Sequence, residues 1–328
     1  METVIIFGAT GTVGANTALD LKGKGYNVIA VGRRKSDNNF FKDYDIDYYS
    51  VDISKKEDFS TLETLKLNAI VHCAGAMPAT MKDFDPQQYI DSIVTGTLNI
   101  LNFALRVKVD KIIFTQTRAD SSYLMGTKTP VPSDIEKKFP LKGDHSIYTI
   151  CKNAAVNLID HYYHEYGLRR FILRLPTIYA YQKDPYYYVN GEKKWMAYRF
   201  IMQQAINGER IEIWGNPDKE KEIVYIKDLC QIIEKCIESS LEGGVYNVGR
   251  GVGVTIETQI KGIVEVFSEK NNISEVVYKP EMPDSRQFIH DISKTKNDLG
   301  YEPKYDYMNL LLDFKNEMQI NRFAKLWG

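Results

Sequence analysis

The chain has little of what would tie it to a disulfide framework, a membrane or a polyanion. Its four cysteines, Cys73, Cys151, Cys230 and Cys236, form no Cys-x-x-Cys pair. Neither a disulfide scaffold nor a structural zinc site is therefore expected, and reduced thiols fit a cytoplasmic protein. No apolar run approaches the ~20 residues that a membrane helix needs. The first such run, residues 4–7, is too short and wrongly flanked for a signal peptide. An excess of charge is missing too: 42 Lys and Arg stand against 43 Asp and Glu, a net charge of -1. That balance gives no electrostatic case for a nucleic-acid or membrane-surface partner and leaves small molecules. What is there is 328 residues with 44% hydrophobic and 12% aromatic content, enough for a large core and too much for one minimal domain.

In the first half, short β-branched or aromatic runs at residues 4–7, 28–31, 48–51, 70–73, 112–115 and 171–173 alternate with helical patterns. That alternation predicts right-handed βαβ units and a parallel sheet. Asp85 and Pro86 open a helix with Ile90, Ile93, Val94, Leu98, Leu101 and Leu105 on one stripe. A further helix spans about 148–166 and stops at Gly167. A tyrosine-rich loop over 179–190 begins a second region with a helix near 195–206, strands near 211–214 and 222–225, and a helix over 228–238. Residues 245–248 read as a buried strand that returns to the first sheet. The expected fold is α/β, a Rossmann doubly wound parallel sheet with a smaller, discontinuous C-terminal α/β domain. The boundaries are 1–175 with about 225–250, against about 176–224 with 251–328.

Gly8-Ala9-Thr10-Gly11-Thr12-Val13-Gly14 follows the first strand and opens the first helix, so that backbone N–H groups of the turn can meet a pyrophosphate. The cofactor is then NAD or NADP. NAD binders place an acidic side chain at the end of the second strand, where this chain has Gly32-Arg33-Arg34. Loss of the carboxylate and gain of guanidinium groups that can hold a 2′-phosphate favour NADP, with NAD the alternative. Asp52, just past the third strand, is a candidate contact for the adenine end.

Tyr148 and Lys152 lie four residues apart on one helix face. An unperturbed phenol ionises near pH ~10 and needs a nearby cation to act as a base at neutral pH, a role that Lys152 fits. The expected chemistry is proton transfer between Tyr148 and a substrate oxygen, coupled to hydride transfer at the nicotinamide. A second pair at the same spacing, Tyr179 and Lys183, sits in an irregular segment before Pro185 and is rejected. Thr117, at the carboxyl end of the fifth strand, is the first choice to hold the substrate oxygen, with Ser121 and Ser122 as alternatives. Each hydroxyl also fits a turn or cap. His72 is expected to pack or to line the cofactor.

With Gly8, Gly11 and Gly14 in a Gly-x-x-Gly-x-x-Gly spacing, Ile70-Val71-His72-Cys73-Ala74, Gly96-Thr97, Tyr148/Lys152, Arg174-Leu175-Pro176, Val245-Tyr246-Asn247-Val248-Gly249 and Asp291-Ile292-Ser293-Lys294, then Leu299-Gly300-Tyr301 and Pro303, the chain resembles an extended short-chain dehydrogenase/reductase over nearly its whole length. It falls in the branch that holds nucleotide-sugar epimerases, dehydratases and reductases. The resemblance implies a smaller domain for a sugar nucleotide, a cleft between the two domains, and a homodimer built on the helix of Tyr148 and its neighbour. It also implies that Ile53, Cys73, Ala74 and Gly75 line the dinucleotide, and that Thr177, Lys221 and Arg286 contact substrate.

The departures are specific. Ile93 and Thr177 stand where relatives carry Asn, Lys221 replaces an Arg, and Gly215-Asn216-Pro217 replaces a Gly-rich turn. Extra residues lie around 118–125, and the Asp-Glu pair of typical dehydratases is missing after the threonine, which disfavours dehydration. Tyr186, Tyr187, Tyr188, Lys193, Lys194, Trp195 and Arg199 either bind base and diphosphate or form an ordinary loop and a solvated helix face. Three functions compete: an NADP(H)-linked oxidoreductase acting on a sugar carbinol or ketone, an epimerase that retains NAD with no net redox change, and a cofactor-binding regulator without catalysis. The first leads.

Overall fold

The computed structural model describes residues 2–78, 82–189 and 191–328. Its first half runs β1 (Thr3–Phe7), α1 (Thr12–Gly23), β2 (Asn27–Gly32), β3 (Asp47–Ser50), β4 (Ala69–His72), α2 (Pro86–Tyr89), α3 (Gly96–Arg106), β5 (Lys111–Thr117), α4 (Asp144–Tyr166) and β6 (Arg169–Leu175). The second half runs β7 (Ile178–Tyr179), β8 (Tyr186–Val189), β9 (Glu192–Trp195), α5 (Ala197–Asn207), β10 (Ile211–Trp214), β11 (Glu220–Lys221), β12 (Val224–Tyr225), α6 (Ile226–Glu238) and β13 (Gly243–Asn247). It ends with β14 (Val254–Thr255), α7 (Ile256–Phe267), β15 (Val276–Lys279), α8 (Ser293–Leu299), α9 (Tyr307–Ile320) and α10 (Ala324–Trp327). No helix among the described residues is long and apolar enough to cross a membrane.

Seven strands form one parallel sheet in the order β13-β6-β5-β4-β1-β2-β3, so the chain does return to this sheet through β13. Alternate side chains of a strand point to opposite faces, and here both faces are covered. Val4 and Ile6 of β1 join one core with Ala15, Ala18 and Leu21 of α1 and Leu229 and Ile233 of α6. Ile5 and Phe7 join the other with Leu101 and Phe103 of α3 and Val156 and Ile159 of α4. This two-sided burial explains why β1 reads as an unbroken apolar run. The strand order reverses between β1 and β4, and in such sheets ligands bind beyond the carboxyl ends at that switch point.

Three elements differ from the sequence expectation. Asp85 caps α2 through Gln87 N at 3.0 Å, but the expected single helix is interrupted by a π-type turn over Ile90–Thr95 before α3 begins. The wider turn rotates the stripe: Ile93 is fully buried, whereas Ile90 and Leu98 are exposed. The expected 179–190 loop holds β8, which pairs antiparallel with β9, and α5 starts only at Ala197. Asn190 lies outside the described residues, yet Asn190-Gly191 is the dipeptide most favoured in two-residue hairpin turns, a signal the polar composition masked. Of the expected strand over 222–225 only β12 (Val224–Tyr225) forms, because Glu222, whose buried carboxylate accepts from Arg250 N and Gly251 N, separates it from the short β11 before it.

Arg174 explains the Arg-Leu-Pro motif as structure. Its side chain is buried at the end of β6, with Nε and Nη2 on Asp120 at 3.0–3.2 Å and Nη1 on Ser133 O and Asn247 Oδ1. Asn247 in turn donates to Val131 O and Asp291 O. One buried ion pair thus joins the segment after β5 to β6, β13 and the loop before α8. At the far end, α10 folds back on the first half: Trp327 Nε1 donates to Thr10 O at 2.9 Å and Phe323 packs 5.6 Å from Phe40.

Candidate active site

The turn between β1 and α1 is set by close approach of backbones. Gly8 has φ +87°, and a Cβ there would lie 2.7 Å from Ala74 N. A Cβ at Gly14 would lie 2.3 Å from Gly8 O. Only hydrogen fits at both positions, so α1 begins directly against the ends of β1 and β4. Gly11 is the N-cap, no side chain caps it, and no acidic residue occupies the first turn. The first amides of α1, at the positive end of its dipole, are therefore left for an anion.

At the end of β2, a Cβ on Gly32 would lie 2.8 Å from Thr10 Cγ2 and 3.0 Å from the Tyr48 hydroxyl. A carboxylate-bearing side chain there meets Thr10 first. The two arginines that follow have different situations. Arg34 donates from Nη1 to Leu326 O at 2.7 Å while its carbonyl accepts from Tyr48 at 2.6 Å. Arg33 is exposed and has no partner among the described residues. Asp52 accepts from Ser54 N and Oγ through Oδ1, which leaves Oδ2 with no partner among the described residues. Ile53 is buried against Gly96, whose Cβ would lie 2.6 Å from Ile53 Cδ1.

Past β4, Cys73 N donates to Phe7 O, Gly75 lies under Ile93, and Ala76 N donates to Ser92 Oγ at 2.9 Å. Burial pushes the Cys73 thiol up to about 12, so it is no nucleophile at neutral pH. His72 is fully buried, with Nε2 3.0 Å from Thr97 Oγ1. Burial, and then the charge of Lys152, push it down to about 3, so this imidazole packs rather than titrates near neutrality.

Tyr148 and Lys152 occupy the second and third turns of α4, beside the carboxyl half of β5. Lys152 is buried, donates from Nζ to Thr115 O at 2.7 Å, and sits 4.4 Å from the Phe114 ring centroid and 6.0 Å from that of Tyr148. Burial lowers its pKa to about 8, partly offset by Cys73. Burial raises the Tyr148 phenol well above its usual range. At pH 7 the phenol is neutral and the ammonium charged, a state in which Tyr148 is a proton donor.

Of the three candidate hydroxyls, Thr117 accepts Ala119 N at 3.2 Å as the cap of a 3-10 segment over Arg118–Leu124 and keeps its own hydrogen to donate. Ser121 is fully buried and donates to Arg118 O at 2.9 Å, which makes it a turn residue and removes it as a substrate contact. Ser122 Oγ is buried with no partner among the described residues.

A sequence profile of the NAD dependent epimerase/dehydratase family matches residues 4–249. The chain belongs to that family. Among curated members, a UDP-glucuronate 4-epimerase of Thermodesulfobacterium geofontis is 27% identical over 268 residues, 81% of this chain and 77% of that protein. A UDP-glucose 4-epimerase of Rhizobium meliloti is 24% identical over 317 residues, 93% of each. A solved UDP-glucose 4-epimerase of Thermotoga maritima, determined with UDP-glucose, shares the fold with a TM-score of 0.76 at 22% identity over 97% of this chain and 99% of that one. An enzyme of Bordetella bronchiseptica in complex with NAD and UDP shares it at 0.76 and 16% identity over 98% and 96%.

Within this epimerase/dehydratase fold, several expected residues are exposed or engaged elsewhere. Thr177, Lys221 and Arg286 are exposed and without side-chain partners among the described residues. Arg199 is buried, bonded to Gln182 O at 2.7 Å and packed over Tyr181 and Phe314, so it is a structural residue and not a phosphate ligand. Tyr186 packs 4.7 Å from Trp195 across the hairpin under Lys193, and Lys194 pairs with Glu192. Tyr179 stacks on Tyr198 inside the core while Lys183 bonds Gly328 O, so the rejected pair is parted. Sequence reasoning missed two contacts on the glycine turn, Gln182 Oε1 accepting from Thr12 Oγ1 at 2.8 Å and Trp327 on Thr10, which no spacing rule signals.

Proposed function

We propose that this protein transfers hydride between a nicotinamide dinucleotide, NADP(H) in preference to NAD(H), and a carbinol or ketone of a nucleotide-linked sugar. The observation that carries the reading is an uncapped α1 turn together with the half-buried Tyr148 and buried Lys152 at the carboxyl ends of β1, β4 and β5. The cradle fits a dinucleotide: a Cβ would fill it at Gly8 or Gly14, and the first amides of α1 await an anion. Gly8, Thr10, Gly11, Thr12, Val13 and Gly14 would hold the pyrophosphate, Arg33 a 2′-phosphate, and Asp52 with Ile53 the adenine end. Cys73, Ala74 and Gly75 would line the nicotinamide half. When bound, the cofactor supplies or accepts the hydride. Tyr148 gives its proton to the substrate oxygen in reduction and takes it back in oxidation, Lys152 supplies positive charge beneath the phenol, and Thr117 holds the oxygen by its hydroxyl. The sugar domain, about residues 176–224 and 251–328, would take the nucleotide. Uncovered Ile90, Leu98 and Ile150 on the α3/α4 face support a homodimer there.

NADP is supported by the crowding at Gly32 and by the unpaired Arg33. Arg33→Ala is expected to weaken NADPH about 10- to 100-fold and leave NADH unchanged, as loss of a charge-assisted bond predicts. Fluorescence titration of both cofactors checks this, and equal effects on the two would count against the phosphate contact. The 4-epimerase names of the relatives favour a second reading, epimerisation with retained cofactor. Incubating the protein with UDP-sugars and NADPH separates the two: consumption of NADPH supports the reductase, whereas sugar interconversion without it supports the epimerase.

Either reading needs Lys152 charged. Its pKa is depressed to about 8, so the ammonium is present below that pH and lost above it. The kcat/KM of the wild type should fall on an alkaline limb near pH 8. A profile flat to pH ~10, the usual lysine range, would contradict this role for Lys152.

A further inference from the structure

β5 outruns its neighbour β4. The last pair between them is His72 with Phe114, whereas β5 stays paired with β6 as far as Thr117 opposite Leu175. Thr115, Gln116 and Thr117 therefore have no β4 residue beside them, and backbone groups left over at such an end are met by side chains. Thr115 O accepts Lys152 Nζ at 2.7 Å, and Thr117 N donates to Gln116 Oε1 at 2.8 Å. Ile112 and Phe114 belong to the core under α3 and α4, so by alternation Gln116 faces α4, and it is only 2% exposed. A buried amide needs partners at both its oxygen and its nitrogen. The backbone N–H of Thr117 can only donate, which assigns Oε1 to it and leaves Nε2 to donate to Asn153 Oδ1 at 2.9 Å. Lys152 and Asn153 are consecutive on α4, so two neighbouring links join the end of β5 to the helix that carries Tyr148.

We propose that Gln116, through Asn153, is a positioning residue for the reaction: it fixes the backbone of Thr117 so that the hydroxyl on the substrate oxygen keeps one geometry with the phenol and ammonium of α4. The inference rests on the reading of Tyr148, Lys152 and Thr117 as the reacting centre. Thr117 is held at two points, its Oγ1 by Ala119 N and its N by Gln116 Oε1. Only the hydroxyl hydrogen is then free to turn toward a substrate. Gln116, buried against α4, acts through Thr117 and touches no reactant itself. Misplacing a reacting group by about 1 Å can cost ~100-fold in rate, so a shift of Thr117 shows in turnover before it shows in binding.

The test is steady-state kinetics of wild type, Gln116→Leu, Asn153→Leu, Asn153→Asp and the Gln116→Leu/Asn153→Leu double variant. UDP-glucose and UDP-glucuronate are the substrates, followed both as NADPH absorbance and as sugar interconversion, with dinucleotide titration and thermal unfolding on the same samples. Gln116→Leu should lower kcat about 10- to 100-fold and move KM by less than about 3-fold, because the nucleotide end of the substrate keeps its contacts. Asn153→Leu should lower kcat by less, since Gln116 keeps Thr117 N and loses only its second anchor. Asn153→Asp retains an acceptor for Gln116 Nε2 and should restore most of the rate. The double variant should be no slower than Gln116→Leu alone, as for two residues acting through one link. A Gln116→Leu variant as fast as wild type overturns the proposal, and so does a double variant whose losses multiply. Loss of dinucleotide binding in step with kcat also overturns it, since that marks a folding role. Should Gln116→Leu fail to fold, the Asn153 pair decides: a slow leucine and a fast aspartate variant support the link, and equal rates overturn it. A wild type that binds the dinucleotide but turns over neither sugar nucleotide would instead overturn the reading of the centre, and this inference with it.

Discussion

Tyr148→Phe should lower turnover at least ~100-fold with dinucleotide affinity unchanged, because it removes only the hydroxyl that carries the proton and keeps the ring. The phenol stands above its usual range through burial, so it holds its proton at neutral pH and donates it to a substrate oxygen as reduction proceeds. Phenylalanine fills the same space against Tyr89, whose ring lies 6.0 Å away, so the helix face stays packed. Steady-state rates with cofactor titration on the same samples check the expectation. Full activity in the variant would remove Tyr148 from the chemistry and point to a different proton donor.

The second large effect is on stability. Asp120→Ala leaves the Arg174 guanidinium buried with no carboxylate, and breaking one side of a buried pair typically costs about 3–5 kcal/mol. The site should be sensitive to this, since Arg174 also ties Ser133 O and Asn247 Oδ1 and so holds β13 against β6. The double change Asp120→Ala with Arg174→Met removes both charges and should lose less than the single change. Chemical denaturation of the three proteins reads this directly. A single variant as stable as wild type would show that the guanidinium finds water or another acceptor.

What the sequence made legible follows from how local each signal is. The parallel sheet, the glycine turn and the Tyr148/Lys152 spacing are written within a few residues each, and buried strands such as β1 are apolar on both faces, so the pattern survives without tertiary context. The π-type turn at Ile90–Thr95 leaves no such mark, since its extra residue changes which side chains face inward without changing their character. The β8/β9 hairpin was hidden by polar, tyrosine-rich composition despite its Asn-Gly signal. Side-chain commitments between distant segments were not legible: Arg34 bonded to Leu326 O and Arg199 to Gln182 O are indistinguishable in sequence from free ligands. Ser121, bonded to its own turn, is the local case for which the sequence left the turn role open.

The most direct test is a crystal structure of the protein with NADPH. Pyrophosphate oxygens on the first amides of α1 and the nicotinamide ring beside the Tyr148 hydroxyl are the predicted result. A dinucleotide bound elsewhere, or no saturable binding at all, would contradict it.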